Sequence, residues 1–135
     1  MTYRQPCYSR HGRRSLLLSG MHDDYEFWII DLGTHPTAYV RVPSGHPCFK
    51  KKFMKDDEID RIGCHGGITY SEDRLHVENQ ELKGWFIGWD YAHWGDHLGW
   101  ETSDEFGKRW TTEEIFDDVK DVIRQLKKAV EGATA

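Results

Sequence analysis

Short runs of aromatic and β-branched residues, separated by turn residues, recur through the first two thirds of the chain. Such runs are typical of β-strands, because these side chains pack well on a pleated, half-buried surface. The pattern predicts strands over residues 14–18, 25–33, 37–43, 59–69, 74–79 and 84–90. Gly66 and Gly67 interrupt the fourth strand, and residues 49–54 are predicted to form a loop. The last run, "GWFIGWD", is almost continuously apolar, which indicates a central strand covered on both faces.

The pattern changes to a helical period over residues 111–130. One apolar stripe with spacings of three and four is formed by Ile115, Phe116, Val119, Val122, Ile123, Leu126 and Val130. Thr111 and Glu114 fit a capping box at the start, and Gly132 is predicted to end the helix. Because such a stripe must cover something, the sequence predicts an α+β fold: an antiparallel sheet of about five strands, with one C-terminal amphipathic helix packed on one face.

Length and composition narrow the class of protein. The 135 residues indicate a single α+β domain over residues 15–135, preceded by a flexible basic arm over residues 1–14. A net charge of −5 argues against broad nucleic-acid binding. The three cysteines form no C-x-x-C pair, which favours a reducing compartment and small core side chains over disulfides or nucleophiles. With no signal peptide or membrane span apparent, we expect a cytoplasmic protein.

The stretch "GWFIGWDYAHWGDH" at residues 84–97 joins a predicted strand end to aromatic and titratable side chains. In an extended strand Trp85, Ile87 and Trp89 share one face, while Gly88 on the other leaves room for a close approach. Asp90 falls where the chain leaves the sheet. A loop leaving a rigid strand is a good place to present side chains to a ligand.

Three interpretations of that loop stay open. His93, Asp96 and His97 have a spacing compatible with one divalent metal ion and an open position for water. Alternatively, a metal-free pair forms in which a carboxylate orients an imidazole for proton transfer, with His93 and Asp90 as candidates. In the third, the aspartates cap the loop and the histidines stack on tryptophans. Trp94 offers a flat face on which a ligand can stack.

A second candidate segment is "HGGITY" at residues 65–70. Adjacent glycines allow backbone amides to approach an anion, and His65 can serve as a ligand or a base. Thr69 adds a hydroxyl donor. The same glycines also occur in plain bulges, so the segment alone does not define a site.

Three blocks together resemble a widespread group of small phage and prophage proteins: "VRVPSGHPCF" at 40–49, "HGGITY" at 65–70 and "WFIGWDYAHWGD" at 85–96. The resemblance covers roughly the middle half of the chain. It implies His46, His65, Asp90, His93 and Asp96 as motif positions and leaves His97 outside the pattern. It implies no established activity.

These observations lead to competing functional hypotheses. The first is a phage-type accessory protein that binds a small anionic nucleotide-like ligand, with hydrolysis of that ligand and a role in counter-defence as extensions of the hypothesis. In it His65, His93 and Asp90 act as catalytic groups, and His46, Thr69 and Trp94 as ligand contacts. The alternative is a non-catalytic inhibitor that docks on a host defence protein such as a CRISPR nuclease. A third reading makes the motifs purely structural. A homodimer is compatible with each.

Overall fold

The computed structural model describes residues 15–93, 96 and 107–134. Its elements, in chain order, are β1 (Ser15–His22), β2 (Tyr25–Asp31), β3 (Pro36–Arg41), α1 (Asp57–Asp60), β4 (Tyr70–Val77), β5 (Gln80–Asp90) and α2 (Thr112–Thr134). The five strands form one antiparallel sheet in the order β1-β2-β3-β5-β4. The predicted α+β fold is therefore confirmed. The basic arm at residues 1–14 lies outside the described residues.

Hairpins build the sheet from neighbours in the chain. β2 and β3 are joined by a turn in which the amide of Leu32 donates to the carbonyl of His35 at 3.0 Å. β4 and β5 form a second hairpin, with Val77 opposite Gln80. β5 then pairs with β3, so that Ala38 lies opposite Trp89. The strand carrying the candidate site is consequently held on both sides by hydrogen-bonded neighbours.

Helix α2 covers one face of the sheet and closes the main core. Its five innermost side chains have no solvent exposure, and they are Ile115, Val119, Val122, Ile123 and Leu126. The predicted capping box is present: the Thr111 hydroxyl accepts from the amide of Glu114, and the Glu114 carboxylate accepts from the amide of Thr111. Val130 is 37% exposed, so the C-terminal end of the apolar stripe extends beyond the core.

The second half of β5, over residues 85–89, is buried on both faces, as predicted for this segment. Trp85, Ile87 and Trp89 pack in the core under α2, and Phe86 belongs to a second cluster on the opposite face. At Gly88 a Cβ atom would lie 2.5 Å from Cδ1 of Tyr39. The close approach that Gly88 was expected to permit is thus made by Tyr39, a side chain of the neighbouring strand.

None of the described helices covers the second face of the sheet. A cavity of about 430 Å³ on this side is lined by Leu16 of β1 together with Val77 and Leu82 from the β4–β5 hairpin. Residues from the first strand and from the far hairpin therefore border the same cavity. The buried side chains of this face are Trp28, Ile30, Tyr39, Leu75, Val77 and Phe86.

Two predictions of secondary structure were wrong. Residues 59–69 do not form a strand, because Ile59 and Ile62 both turn into the core from helix α1 and the turn after it. The glycines have positive φ angles, 72° at Gly66 and 81° at Gly67, which belong to a turn. Gly132 does not end α2, which continues to Thr134. None of the helices in the described ranges is long and apolar enough to cross a membrane.

Candidate functional site

The candidate site forms where two loops meet at the end of β5. His65 lies in a turn closed by a hydrogen bond from the amide of Gly67 to the carbonyl of Cys64. The amide of Thr69 donates to the carbonyl of Gly88 at 2.9 Å, which holds this turn beside β5. His93 follows three residues after the strand end. The ring centroids of His65 and His93 lie 5.4 Å apart, so the two segments converge.

Asp96 is the buried centre of the cluster, and its carboxylate accepts three hydrogen bonds from the described residues. Oδ2 accepts from Nε2 of His65 at 2.7 Å and from the amide of His93 at 3.0 Å. Oδ1 accepts from Nε1 of Trp110 at 2.9 Å. Burial opposes ionisation of this carboxyl, but the three donors outweigh it and lower the pKa of Asp96 below its ordinary value. Asp96 is therefore a carboxylate that can only accept.

This assignment fixes the tautomer of His65. Because the carboxylate of Asp96 cannot donate, Nε2 of His65 must carry the hydrogen. Nδ1 is then the basic nitrogen, and it makes no hydrogen bond within the described part of the chain. A carboxylate that orients an imidazole in this way leaves its other nitrogen ready to accept a proton.

Aromatic rings hold His65 in place. Its ring stacks on Tyr91 at 4.8 Å with an interplanar angle of 6°, and Trp110 lies 4.7 Å away at a tilt. Tyr91 is fixed in turn, since its hydroxyl accepts from Nε1 of Trp89 and donates to Asp118. Burial, together with Asp118, raises the pKa of Tyr91 well above its usual range. Tyr91 is thus a neutral stacking partner for His65, held in place by its own hydrogen bonds.

His93 packs directly on Gly66. A Cβ atom at Gly66 would lie 2.2 Å from Cε1 of His93, so only glycine allows this contact. Nδ1 of His93 is shielded from solvent and makes no hydrogen bond within the described ranges. It lies 3.5 Å from Oδ1 of Asp90 and 3.9 Å from Oδ2 of Asp96. Two carboxylates therefore face one buried ring nitrogen.

Asp90 links the histidine cluster to a small cavity. Its Oδ1 accepts from the amide of Ala92, and its Oδ2 accepts from the hydroxyl of Thr69 at 3.1 Å. Asp90 and Thr69 also line a cavity of about 190 Å³ with His35 and Thr37. Burial lowers the pKa of His35 more than the nearby carboxylates of Asp90 and Asp96 raise it. His35 is therefore held in its neutral form.

Not every residue expected at the site is found there. His46 is buried, and both of its ring nitrogens are occupied by backbone: Nδ1 accepts from the amide of Cys48, and Nε2 donates to the carbonyl of Leu126. It joins the loop after β3 to α2 and is no part of the cluster. Trp94 and His97 lie outside the described residues.

A metal ion can be considered for three groups of the cluster. One ring nitrogen of His65, one of His93 and a carboxylate oxygen of Asp96 all lie within 4.8 Å of one another. The set predicted from sequence was His93, Asp96 and His97. In the described geometry the third group is His65, which lies 31 residues before Asp96 in the sequence.

The cysteines of the described chain are poorly suited to nucleophilic chemistry. Burial raises the pKa of Cys48 to about 11 and that of Cys64 to about 12. A thiol with so high a pKa is almost wholly protonated near neutral pH, and the thiolate is the reactive form. His65 and Cys64 are neighbours in sequence, but no described hydrogen bond joins their side chains.

Sequence reasoning missed three side chains that complete the cluster: His35, Tyr91 and Trp110. Tyr91 follows Asp90 directly, and its place at a strand end was a usable signal. Trp110 lies 14 residues after Asp96, and no local pattern marks that contact. The chain matches no protein-family profile, no curated protein and no solved structure.

Proposed function

We propose that the protein is a phage-type accessory protein that binds, and hydrolyses, a small anionic nucleotide-like ligand at the pair of His65 and His93. One observation carries the proposal: two imidazoles from different loops meet around one buried carboxylate, with ring centroids 5.4 Å apart. A protonated imidazole is a suitable partner for a phosphate group. The cavity of about 190 Å³ beside Asp90 offers room for a neighbouring polar group of the ligand.

Acid–base chemistry follows from the two nitrogens. Nδ1 of His65 accepts a proton from an attacking water while the oxygen of that water bonds to phosphorus. The bond between phosphorus and the leaving oxygen breaks, and a protonated His93 donates its proton to that oxygen. Asp96 stabilises the imidazolium that forms on His65, because it contacts the opposite nitrogen at 2.7 Å. Asp90 orients His93 from 3.5 Å.

The test uses two phosphodiesters of constant charge, cyclic AMP for binding and bis(p-nitrophenyl) phosphate for hydrolysis, both in the presence of EDTA. We expect titration calorimetry to show one binding site that His65→Ala and His93→Ala each abolish. The matched control is His76→Ala, because His76 is an exposed histidine on β4. Circular dichroism checks that each variant is folded.

Binding that is absent, or that survives in both alanine variants, contradicts the proposal. Function that survives there but is lost on changing the outer face of α2 would favour the inhibitor.

A further inference from the structure

The geometry points to a divalent transition-metal site formed by His65, His93 and Asp96. Their ligand atoms lie within 4.8 Å of one another and come from two loops that flank the end of β5. Imidazole nitrogen and carboxylate oxygen are suitable ligands for zinc and its neighbours in the first transition series. The inference uses the residues of the proposed function but does not rest on it, because metal binding needs no second ligand.

The spacing around Asp96 suits a single ion. In a tetrahedral zinc site with bonds of about 2.0–2.1 Å, neighbouring ligand atoms are about 3.3 Å apart. Oδ2 of Asp96 lies 2.7 Å from Nε2 of His65 and 3.9 Å from Nδ1 of His93, values on either side of that spacing. Small side-chain rotations therefore suffice. The proton on Nε2 of His65 would leave as the ion binds.

The second observation is the buried nitrogen of His93. Nδ1 is inaccessible to water, has no hydrogen-bond partner in the described chain, and faces oxygens of both Asp90 and Asp96. A polar atom left unpaired inside a protein is costly, and most such atoms are paired. A cation between this nitrogen and the carboxylate of Asp96 would satisfy it.

Outer contacts already orient the three ligands. Nε1 of Trp110 holds Oδ1 of Asp96 and leaves Oδ2 turned toward the histidines. The ring of His65 is fixed by stacking on Tyr91, and that of His93 is seated on Gly66. Such support is typical of metal sites, where ligands are positioned by neighbouring groups. Three protein ligands leave a fourth position for water or an anion.

The test measures zinc alone, added to tag-free protein that has been stripped with a chelator. We expect one equivalent of zinc to bind per chain. His65→Ala and His93→Ala should each weaken binding by about 100-fold or more, whereas Asp90→Asn, which alters only a neighbour of His93, should weaken it by about 10–100-fold. His76→Ala is the control and should bind as the wild type does. Cobalt should give a visible absorption band that the first two variants lose.

Zinc that does not bind, or that binds equally well to the His65 and His93 variants, overturns the inference. If an alanine variant fails to fold, NMR of the wild-type protein decides instead. Zinc must then shift the imidazole resonances of His65 and His93, and a shift confined to other histidines overturns the site. The two proposals separate cleanly, because cyclic AMP binding is measured in EDTA and zinc binding without a nucleotide.

Discussion

At the scale of single residues, Asp96 is the side chain that connects the segments of the site. Its carboxylate receives hydrogen bonds from His65, from the backbone of His93 and from Trp110. These donors come from three separate segments of the chain. An ionised carboxylate accepts hydrogen bonds more strongly than a protonated carboxyl group does, so the charge of Asp96 strengthens all three contacts. The positions of both histidines therefore depend on hydrogen bonds to one aspartate.

The two adjacent glycines of the His65 turn allow a sharp test of how His93 is seated. Both have positive φ, but a Cβ atom at Gly66 would meet His93 at 2.2 Å, whereas one at Gly67 would meet nothing within 4 Å. We expect Gly67→Ala to cost about 1–2 kcal/mol of stability from backbone strain and to leave ligand and zinc binding intact. Gly66→Ala should carry the same strain and also abolish binding.

Urea unfolding and zinc titration of both glycine variants make the comparison. Equal binding by the two variants would show that His93 can move without consequence, and it would contradict the seating described above. The comparison isolates the contact with His93, because both variants introduce the same methyl group into neighbouring positions of one turn.

Asp31, at the end of β2, should make the stability of the protein depend on pH. It is buried, and the amide of Gly33 donates to its Oδ1 at 2.7 Å. Burial raises the pKa of Asp31 despite that hydrogen bond. The folded state therefore keeps the proton longer than the unfolded state does, and stability from this group is lost as pH rises through the folded pKa.

Asp31→Asn imitates the protonated form at every pH and can keep the bond to Gly33. Its free energy of unfolding, relative to the wild type, should therefore be larger at about pH 7 than at about pH 3. Urea unfolding at several pH values measures this difference. A difference that stays constant with pH would mean that the ionisation of Asp31 does not affect folding.

At the scale of elements, His46 joins the loop after β3 to helix α2. The hydrogen bond from its Nε2 to the carbonyl of Leu126 spans 80 residues of sequence. We expect His46→Ala to lower stability by about 1–3 kcal/mol, since it leaves buried backbone groups without partners. Zinc and cyclic AMP binding should persist in the folded variant. Chemical unfolding and titration calorimetry measure the two effects, with His76→Ala as the control.

A variant at position 46 that stays fully stable but loses ligand binding would reverse this assignment. It would support the ligand contact that the first functional hypothesis assigns to His46. The structure itself gives both ring nitrogens a backbone partner, which leaves neither available to a ligand.

How far the sequence predicts the elements depends on how regular their periods are. The stripe on α2 and the alternation of Leu75 and Val77 on β4 follow directly from a periodic pattern. Residues 59–69 carry the same residue types without a period, because Ile59 and Ile62 enter the core from a short helix and a turn. Apolar composition alone does not distinguish these cases.

The residues of the site likewise divide into those that a local sequence pattern predicts and those that it does not. The end of β5 could be predicted to present Asp90 and His93, because a buried strand must give way to a loop there. The contact of Asp96 with His65, 31 residues away, depends on how β4 returns beside β5. The contact with Trp110 depends on where α2 begins. Neither distance is encoded in any local pattern.

At the scale of the whole molecule, the sheet has two apolar faces but the described chain has one long helix to cover them. The second face carries its own apolar cluster, in which Phe86 is fully buried and the guanidinium of Arg41 lies 5.0 Å from the Phe86 ring. We expect Phe86→Ala to cost about 3–5 kcal/mol, as in other cores. Leu82→Ala, at a partly buried position on the same strand, should cost clearly less.

Urea unfolding of both variants measures the difference, and coincident transitions followed by fluorescence and by circular dichroism would indicate that the two clusters unfold together. If Phe86→Ala is as mild as Leu82→Ala, the second face is not a packed core and the sheet depends on α2 alone.

Because hydrogen bonds from several segments converge on Asp96, ligand binding at this site should be measurable as a change in the thermal stability of the protein. A ligand bound between His65 and His93 would contact both the loop before β4 and the loop after β5. A compound that binds only the native arrangement raises the melting temperature, by an amount that grows with the logarithm of its concentration relative to its Kd. Metals, nucleotides and small acids can therefore be ranked by their effect on the melting temperature, without an assay for a particular reaction.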